Sequence, residues 1–383
     1  MLPPRTTLTR RITAALDASP SQIPVLLGGS GSGRTTLLHQ VRDRLGRSTS
    51  QYVDIEHSAT TPERFLNALS SASQFVPAAP PLGARAAFDS ALGFFTSTRA
   101  AGSAPVTFLL DEFLELRTFE SFPGLRRVLH ELVDGLVASG NRFVLSSRYT
   151  ARALRLLRDR SARFEIVHMP SLTAEDTLAL LDLGSEASVA DAEFTARTVH
   201  ALADGRPSYV KALADELRNM RDTGAPGGDD AVSALAAQMG TGGRIALDCN
   251  FCYELRLHRA RGYGALKAIL EILADEEALT LTQISQRLQR TPGSTKDYLS
   301  WLEDVDLVMS RQKRYYYTDP LLRVWVRLHC RPTPPSDDEL SREVHRYALP
   351  RLPQPAESAF AMAAVGSVSP ADERKAWGII EID

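Results

Sequence analysis

The sequence predicts an α/β fold: a doubly wound parallel sheet, followed by a helical lid and a C-terminal winged helix-turn-helix domain. Three observations support this prediction. Short apolar runs alternate with amphipathic segments as far as His168. From Thr173 the strand-like runs stop and amphipathic helices follow. Residues 262–328 then give three helices and a strand pair, the order of a winged helix.

Five β-branched or apolar runs are the predicted strands, and four amphipathic segments between them are the predicted helices. Strands that alternate with helices form a parallel sheet covered on both faces. The predicted strands are Ile23–Leu27, Tyr52–Glu56, Val106–Leu110, Arg142–Ser146 and Arg163–His168, and the helices are Thr35–Leu45, Pro62–Ser71, Ala86–Thr96 and Gly124–Ala138.

Changes in composition divide the 383 residues into four predicted parts. The sheet domain takes residues 1–172, and the lid with its linker takes 173–230, ending in a stretch rich in Gly, Pro and Asp. The winged helix domain takes residues 231–331. The tail, 332–383, is rich in Pro, Ala and Ser and contains one possible helix, Asp337–Ala348. The three predicted lid helices are Ala174–Leu183, Ala190–Ala203 and Ser208–Met220.

The composition is that of an ordinary globular protein, with 44% hydrophobic and 23% charged residues. The net charge of -2 gives no overall attraction to nucleic acid or to an anionic membrane. No apolar run reaches the ~18 residues of a membrane span, and the N-terminus lacks a signal-peptide layout. Three cysteines argue against a secreted disulfide scaffold. We therefore expect a cytoplasmic protein without a membrane partner.

A glycine-rich loop, Gly28–Thr36, follows the first predicted strand and opens a helix. It fits the Walker A spacing G-x-x-x-x-G-K-[ST] except that Arg34 replaces the lysine. Backbone N–H groups of such a loop wrap a phosphate, and Thr35 is placed to bind Mg²⁺. The sequence therefore predicts ATP and Mg²⁺ as cofactors, held by Gly28, Gly29, Ser30, Gly31, Ser32, Gly33, Arg34, Thr35 and Thr36.

Two acids, Asp111 and Glu112, end the apolar run Val106–Leu110. In an ATPase of this kind the first acid holds the magnesium shell and the second polarises the attacking water. Asp111 is therefore predicted to act with Thr35 at the metal, and Glu112 is predicted to be catalytic. A strand followed by a helix-capping acid is the alternative, but a P-loop with one intervening strand favours the catalytic interpretation.

The next predicted strand ends in Ser146, Ser147 and Arg148. Ligands bind at the carboxyl ends of parallel strands, so Ser147 and Arg148 are predicted to face the γ-phosphate. The alternative is a surface arginine that starts the basic helix predicted over Tyr149–Arg163. The arginines of that helix, candidates to act in trans within a homo-oligomer, are Arg152, Arg155, Arg158, Arg160 and Arg163.

These ordered motifs resemble those of the STAND branch of AAA+-related P-loop ATPases, and within it the archaeal-type ATPases with a C-terminal winged helix. The resemblance covers roughly residues 5–330 and includes a Gly205-Arg-Pro207 turn and the segment Tyr316–Trp325. It implies a P-loop NTPase core of the ASCE type. It also implies that Gly205 and Pro207 lie near the base and ribose, although a helix end followed by a proline-started helix explains this turn equally well.

Two departures from the family pattern limit what the resemblance implies. Arg34 stands where the family has lysine, and a planar guanidinium differs in shape from a compact ammonium, so binding is expected to survive better than catalysis. Longer members of the family continue into a nuclease-like domain. The closing segment Trp377–Asp383 is similar to the first acidic strand of that domain, cut off before the rest, so nuclease activity is not implied.

Positive charge is concentrated in the predicted winged helix, where Arg256–Arg331 carries thirteen basic and nine acidic residues, a net charge of +4. Arg311, Lys313 and Arg314 occupy the predicted wing, and Lys296 lies near the start of the recognition helix, a layout compatible with duplex DNA. Asp297, Glu303 and Asp304 oppose that approach. DNA binding and docking to a protein partner both remain open.

Two functions therefore compete. The first is an ATP-dependent molecular switch with slow hydrolysis, whose nucleotide state, ATP or ADP, sets assembly or partner binding through the winged helix. The second is a non-hydrolysing nucleotide-binding scaffold or DNA-binding regulator, in which Arg34 has turned the site into a clamp. Glu112 favours the switch, because a site without hydrolysis has no need of a water-polarising acid.

Overall fold

The computed structural model describes residues 5–73, 83–158, 160–181, 189–224, 230–258 and 262–353. The closing segment Trp377–Asp383 lies outside the described residues. The main sheet has five strands: β1 (Ile23–Leu27), β2 (Ser50–Asp54), β3 (Thr107–Asp111), β4 (Arg142–Ser147) and β5 (Phe164–His168). All neighbouring strands are parallel, in the order β2-β3-β4-β1-β5. The predicted parallel α/β sheet is therefore confirmed.

Seven helices accompany this sheet: α1 (Thr6–Asp17), α2 (Arg34–Leu45), α3 (Ile55–Ser58), α4 (Pro62–Ser71), α5 (Ala84–Ser97), α6 (Val128–Ala138) and α7 (Thr150–Leu157). Short 3₁₀ segments lie at Ala101–Ser103 and Phe113–Ser121. Successive strand side chains point to opposite faces. Leu109 packs with α1 and α2 on one face, whereas Phe108 and Leu110 join the larger core on the other. Both faces of the sheet are thus covered.

Strand order decides which side chains meet at the carboxyl edge of the sheet. β4 lies between β1 and β3, so the end of β4 is next to both the glycine-rich loop and the acids that follow β3. The register pairs Leu27 with Ser147 and Leu110 with Leu145. This edge brings the predicted phosphate loop, acid pair and sensor together.

Three helices follow the sheet: α8 (Ala174–Leu180), α9 (Val189–Leu202) and α10 (Pro207–Asp222). Thr173 begins α8 with a capping box that includes Asp176. Pro207 takes the first position of α10, where its missing N–H has no helical partner to lose. We call these three helices the lid.

The remainder begins with α11 (Ala231–Met239) and α12 (Arg244–His258), which the sequence analysis did not predict. Next come α13 (Tyr263–Asp275), β6 (Leu279–Thr280), α14 (Leu281–Leu288), α15 (Pro292–Asp304), β7 (Val308–Arg311) and β8 (Arg314–Tyr317). The three strands form an antiparallel sheet in the order β6-β8-β7. Residues 262–318 are called the C-terminal module below. The chain continues with α16 (Pro320–His329) and α17 (Asp337–Ala348).

Some predicted bounds were wrong. β2 ends at Asp54, and Glu56 lies in α3. The strand begins two residues earlier than predicted, because Ser50 and Gln51 pair with β3 through their backbones despite their polar side chains. The basic helix predicted over Tyr149–Arg163 ends at Leu157, where Arg158 leaves the helical conformation at ψ 129°. Within the described ranges, no helix is long and apolar enough to cross a membrane.

Candidate nucleotide site at the carboxyl edge of the sheet

The glycine-rich loop joins β1 to α2 as predicted. Gly31 and Gly33 have φ of 74° and 86°, a region that residues with a side chain rarely adopt. Gly33 directly precedes α2, so the first backbone N–H groups of that helix open toward the loop. A loop of this kind at a helix N-terminus is suited to bind an anion.

Asp111 is the last residue of β3 and is only 4% exposed. Its Oδ2 accepts hydrogen bonds from Thr35 Oγ1 at 2.7 Å and from the Tyr52 hydroxyl at 2.9 Å. Ser146 donates its hydroxyl to Oδ1. Burial, followed by the charge of Asp111, raises the pKa of Tyr52 above its usual value, so this phenol stays a donor. Asp111 and Thr35 thus present a carboxylate and a hydroxyl side by side.

Glu112 has a left-handed backbone, with φ 56° and ψ 48°. Its backbone N–H donates to Ser146 Oγ at 3.1 Å, and its Oε2 accepts the backbone N–H of Arg148 at 3.0 Å. A left-handed non-glycine residue is strained, and such strain often marks functional sites. The backbone turn places the carboxylate between the glycine-rich loop and the end of β4.

Two arginines face the carboxylate of Glu112. Arg34 Nη2 donates to Oε1 at 2.5 Å, and Arg148 Nε lies 3.1 Å from the same oxygen. Burial disfavours the ionised carboxylate, but the charges of Arg34 and Arg148 outweigh it and hold the pKa of Glu112 below its usual value. Glu112 is therefore an ionised, buried carboxylate with a reduced affinity for protons.

Arg34 is 7% exposed and points back over its own loop. Its Nη1 donates to the Gly29 carbonyl at 2.7 Å and to Ser32 Oγ at 3.3 Å. Its Nε is buried without a hydrogen-bond partner among the described residues. The guanidinium thus spans the loop and Glu112, and keeps one donor free.

Arg148 is 6% exposed and bridges two carboxylates. Besides Glu112 it pairs with Glu56, at the start of α3. Burial opposes its charge, but Glu112 and Glu56 raise the pKa of Arg148 above its usual value. Arg148 therefore lies inside the site and not on the surface.

The two serines at the end of β4 have different partners. Ser146 contacts Asp111 and the backbone of Glu112, whereas Ser147, fully buried, accepts the backbone N–H of Tyr149 at 3.0 Å. The described contacts thus give Ser146 the place nearest the acids, and Ser147 shapes the turn before α7.

The Gly205–Pro207 turn lies at the same edge. Gly205 has φ 61°, and an added Cβ would lie 2.8 Å from the Ser171 Cβ. Gly205 and Pro207 were the predicted contacts, but Arg206 and Ser208 are the residues that lie next to the glycine-rich loop. The Ser208 N–H donates to the Gly31 carbonyl at 3.2 Å, and an added Cβ on Gly31 would lie 2.0 Å from Ser208 Oγ. The lid therefore contacts the glycine-rich loop directly.

Arg206 connects the loop to the segment after β8. An added Cβ on Gly29 would lie 3.6 Å from Arg206 Nη1. The same nitrogen donates to Asp319 Oδ2 at 2.7 Å, and Nη2 donates to the Thr318 carbonyl at 2.9 Å. The Tyr209 hydroxyl also donates to Asp319 Oδ2, at 2.7 Å. One carboxylate thus receives two lid side chains beside the glycine-rich loop.

The predicted DNA contacts lie on the C-terminal module. Arg311, Lys313 and Arg314 are exposed around the turn from β7 to β8, and Lys296 is exposed on α15. Arg314 Nη1 donates to the Ala278 carbonyl at 2.6 Å, which holds it against β6. The acidic Asp297 is exposed beside Lys296.

Several of the arginines considered for a role in trans have partners within the chain. Arg155 pairs with Asp304 of α15, and Arg160 pairs with Asp134 at 3.0 Å. Arg163 donates to the Ser21 carbonyl at 3.0 Å. These contacts fasten the region around α7 to neighbouring elements of the same chain.

Five residues of the site were missed by the sequence analysis as functional candidates. Position is the signal for two of them: Ser146 lies near the carboxyl end of β4, and Arg206 lies inside the Gly205–Pro207 turn. They are Tyr52, Glu56, Ser146, Arg206 and Ser208.

Comparison with known proteins supports the fold. No protein-family model matches the sequence, and no curated protein does. Among solved structures, the chain is similar to a Walker-type ATPase of Pyrococcus abyssi, with 16% identity, a TM-score of 0.62, and coverage of 85% of this chain and 95% of that one. It also matches Cdc6p from Pyrobaculum aerophilum, with 12% identity, a TM-score of 0.41, and coverage of 92% and 96%.

Proposed function

We propose that this chain, which has the fold of an archaeal Walker-type P-loop ATPase, is an ATP-binding molecular switch that hydrolyses ATP slowly to ADP and phosphate. The observation that carries the proposal is the meeting of Thr35, Asp111 and Glu112 at the glycine-rich loop, where lid residues also arrive. Fold alone does not assign function, whereas this site brings together the residue types that ATP hydrolysis requires.

The residues present fit ATP and Mg²⁺. The left-handed glycines let the backbone N–H groups of the loop turn inward, and the buried Nε of Arg34, which has no partner among the described residues, is a donor suited to phosphate oxygens. Asp111 and Thr35, with their oxygens 2.7 Å apart, are the oxygen ligands that magnesium prefers, directly or through water. Bound Mg²⁺ would neutralise charge on the phosphates.

Each acidic and basic residue then has a distinct role. Glu112 orients the attacking water and accepts its proton, Arg148 senses the γ-phosphate, and Ser146 and Ser147 fix the strand end that carries it. Arg34 holds phosphate oxygens. Slow hydrolysis follows from the ion pairs, because two guanidiniums lower the pKa of Glu112 and so reduce its strength as a base.

The switch proposal rests on contacts between the nucleotide edge and the rest of the chain. Ser208 of the lid contacts Gly31, and Arg206 joins that edge to Asp319. The Asp306 carboxylate, just before β7, accepts the backbone N–H of Thr150, which directly follows the Arg148–Tyr149 turn. A nucleotide that moves the loop or Arg148 would therefore change how the lid and the C-terminal module are held.

A winged helix is the interpretation we give to the C-terminal module, since α13, α14 and α15 are followed by the β7–β8 hairpin. The three basic residues at the hairpin turn favour duplex DNA as a partner, and the acids of α15 favour a protein. Both use the surface that includes Lys296.

One observation favours a second candidate, a non-hydrolysing nucleotide-binding scaffold or DNA-binding regulator. Both Arg34 and Arg148 form ion pairs with Glu112, the carboxylate that hydrolysis requires. If those pairs persist with ATP bound, Glu112 acts as a structural counter-ion and the site is a clamp.

Mg²⁺–ATP is expected to stabilise the protein and to be hydrolysed slowly to ADP and phosphate. A ligand that binds only the native state at a hundred times its Kd adds ~2.7 kcal/mol, a shift of several degrees in Tm. The measurements are a thermal melt and steady-state phosphate release, each with and without duplex DNA. A Tm that does not change in millimolar Mg²⁺–ATP would contradict the proposed site. A rise in Tm without any phosphate release would favour the scaffold.

Replacing Thr35 by Ala should weaken the magnesium dependence of ATP binding by about tenfold, the scale seen when a metal-site partner is lost. ATP affinity without magnesium should change less, because the loop backbone is retained. Titration of ATP at several Mg²⁺ concentrations measures both. Thr35→Ser keeps the hydroxyl and serves as the control; if Thr35→Ala and Thr35→Ser respond to Mg²⁺ alike, Thr35 does not bind the metal.

Duplex DNA, if it is the partner, should bind with an affinity that falls steeply with salt. Arg311→Ala, Lys313→Ala and Arg314→Ala should each reduce the slope of log K against log salt by ~0.9, the value for one lost phosphate contact. Arg342→Ala removes the same charge from exposed α17 and should leave the slope unchanged. Binding that is absent or independent of salt would favour a protein partner.

A further inference from the structure

A cavity lies between the sheet domain and the C-terminal module, and its lining does not include the glycine-rich loop. Its volume is about 550 Å³. One wall is the 3₁₀ segment Phe113–Ser121, which begins directly after Glu112, together with α7. The opposite walls come from α12 and α15. We call it the interface cavity; its size falls in the range of small-molecule sites.

Two arginines, Arg152 and Arg256, bring positive charge to the interface cavity. Arg256 is 6% exposed; its Nη1 donates to the Asp306 carbonyl at 2.9 Å, but its Nε has no partner among the described residues. Arg152 makes no ion pair or hydrogen bond to the described part of the chain, and burial, followed by the charge of Arg117, lowers its pKa. A buried donor without a partner costs free energy that an anionic ligand would recover.

Carboxylates cancel this charge only in part. Among the described residues that line the cavity, three are arginines and two are glutamates. One glutamate, Glu120, lies 3.5 Å from Arg117 and is paired with it. The other, Glu115, remains against Arg152 and Arg256, so the lining keeps a net charge of +1.

The remaining lining is largely aromatic and aliphatic. Tyr149 and Trp301 contribute rings, and Leu114, Leu255 and Val305 contribute aliphatic surface. The guanidinium carbon of Arg152 lies 5.5 Å from the centre of the Tyr149 ring, so the charged and aromatic surfaces adjoin. A ligand that combines a flat ring with an anionic group would match both kinds of surface.

We propose that the interface cavity binds a small anion that carries a flat apolar ring, its charge at Arg152 and Arg256 and its ring against Tyr149 and Trp301. Such a ligand would contact the segment after Glu112 on one side and α15 on the other. It would therefore hold the C-terminal module against the sheet domain. The lining of the interface cavity does not include the glycine-rich loop, and Arg256 also lines the smaller pocket beside Gly29 and Ser30.

Phenyl phosphate is a suitable probe, because it joins a ring to a phosphate group. Calorimetric titration of the full chain should show phenyl phosphate binding at least tenfold more tightly than inorganic phosphate or phenol. Arg152→Ala should weaken phenyl phosphate by about tenfold or more, the scale of one hydrogen bond to a charged group. Arg126→Ala removes an exposed arginine outside the cavity and should have no effect.

A second variant keeps the test independent of any folding defect in Arg152→Ala. Leu255→Trp fills the apolar side of the cavity and leaves every arginine in place, and it should also abolish the preference for phenyl phosphate over inorganic phosphate. Equal binding of phenyl phosphate and inorganic phosphate by the parent, or unchanged preference in the folded variants, would overturn the proposal. A melt with Mg²⁺–ATP on the same samples reports the nucleotide site separately.

Discussion

Replacing Glu112 by Gln is expected to lower the rate of ATP hydrolysis by about a hundredfold or more, the scale of general-base catalysis. The amide keeps the size of the side chain and can still accept the Arg148 N–H, but it cannot accept a proton from water. Binding of Mg²⁺–ATP should be retained, because Glu112 is not among the residues that hold the phosphates. Single-turnover hydrolysis and ATP affinity, measured on the same preparation, separate these two effects.

Glu56→Gln provides the matched control for that substitution. It makes the same chemical change at the other carboxylate paired with Arg148. Its effect on hydrolysis should be much smaller, because Glu56 contacts Arg148 and not the loop. Equal losses in Glu56→Gln and Glu112→Gln would mean that both act through Arg148, and Glu112 would then have no role as a base.

Substitutions of Arg34 should have the second largest effect. Arg34→Ala should weaken ATP about tenfold to a hundredfold, because charged hydrogen bonds contribute ~1.5–3 kcal/mol. Arg34→Lys should bind ATP like the parent and hydrolyse it as fast or faster. The guanidinium uses separate nitrogens for the Gly29 carbonyl and for Glu112, and a lysine has one ammonium for both. The lysine would therefore leave Glu112 less restrained and follow the transferred phosphoryl group more readily.

ATP affinity and single-turnover rates for the parent, Arg34→Lys and Arg34→Ala test this prediction together. The parent should turn over slowly. Fast hydrolysis by the parent that is lost in Arg34→Lys would show that catalysis requires the guanidinium. That result would contradict the proposal of slow hydrolysis.

The sheet could be predicted from sequence because its strands are short apolar runs buried on both faces. The glycine-rich loop between β1 and α2 could be predicted because its spacing and its strand–loop–helix context are both local. β2 was displaced because Ser50 and Gln51 are polar, although backbone pairing with Thr107 and Phe108 makes them strand. Side-chain patterns report burial, and they report backbone pairing only indirectly.

The contacts among distant segments could not be predicted. The pairing of Arg34 with Glu112 joins residues that are far apart in sequence, and no local pattern distinguishes it from a free guanidinium. Ser146 contacts Asp111 and Ser147 does not, because successive side chains of a strand point to opposite faces of the sheet. Helices α11 and α12 were missed because their apolar residues were not recognised as part of a larger core, to which Leu235 and Tyr253 belong.

Asp319 bears on how this architecture can change in evolution. Its Oδ1 accepts the backbone N–H groups of Leu321 and Leu322 at the start of α16, while its Oδ2 receives Arg206 and Tyr209 of the lid. A single carboxylate therefore serves as the helix cap of one segment and the anchor of another. The C-terminal segments cannot be exchanged between relatives as an independent cassette, because a replacement without an acceptor here would leave the half-buried Arg206 guanidinium without its counter-ion. Lid and C-terminal residues at this junction should consequently have been inherited together.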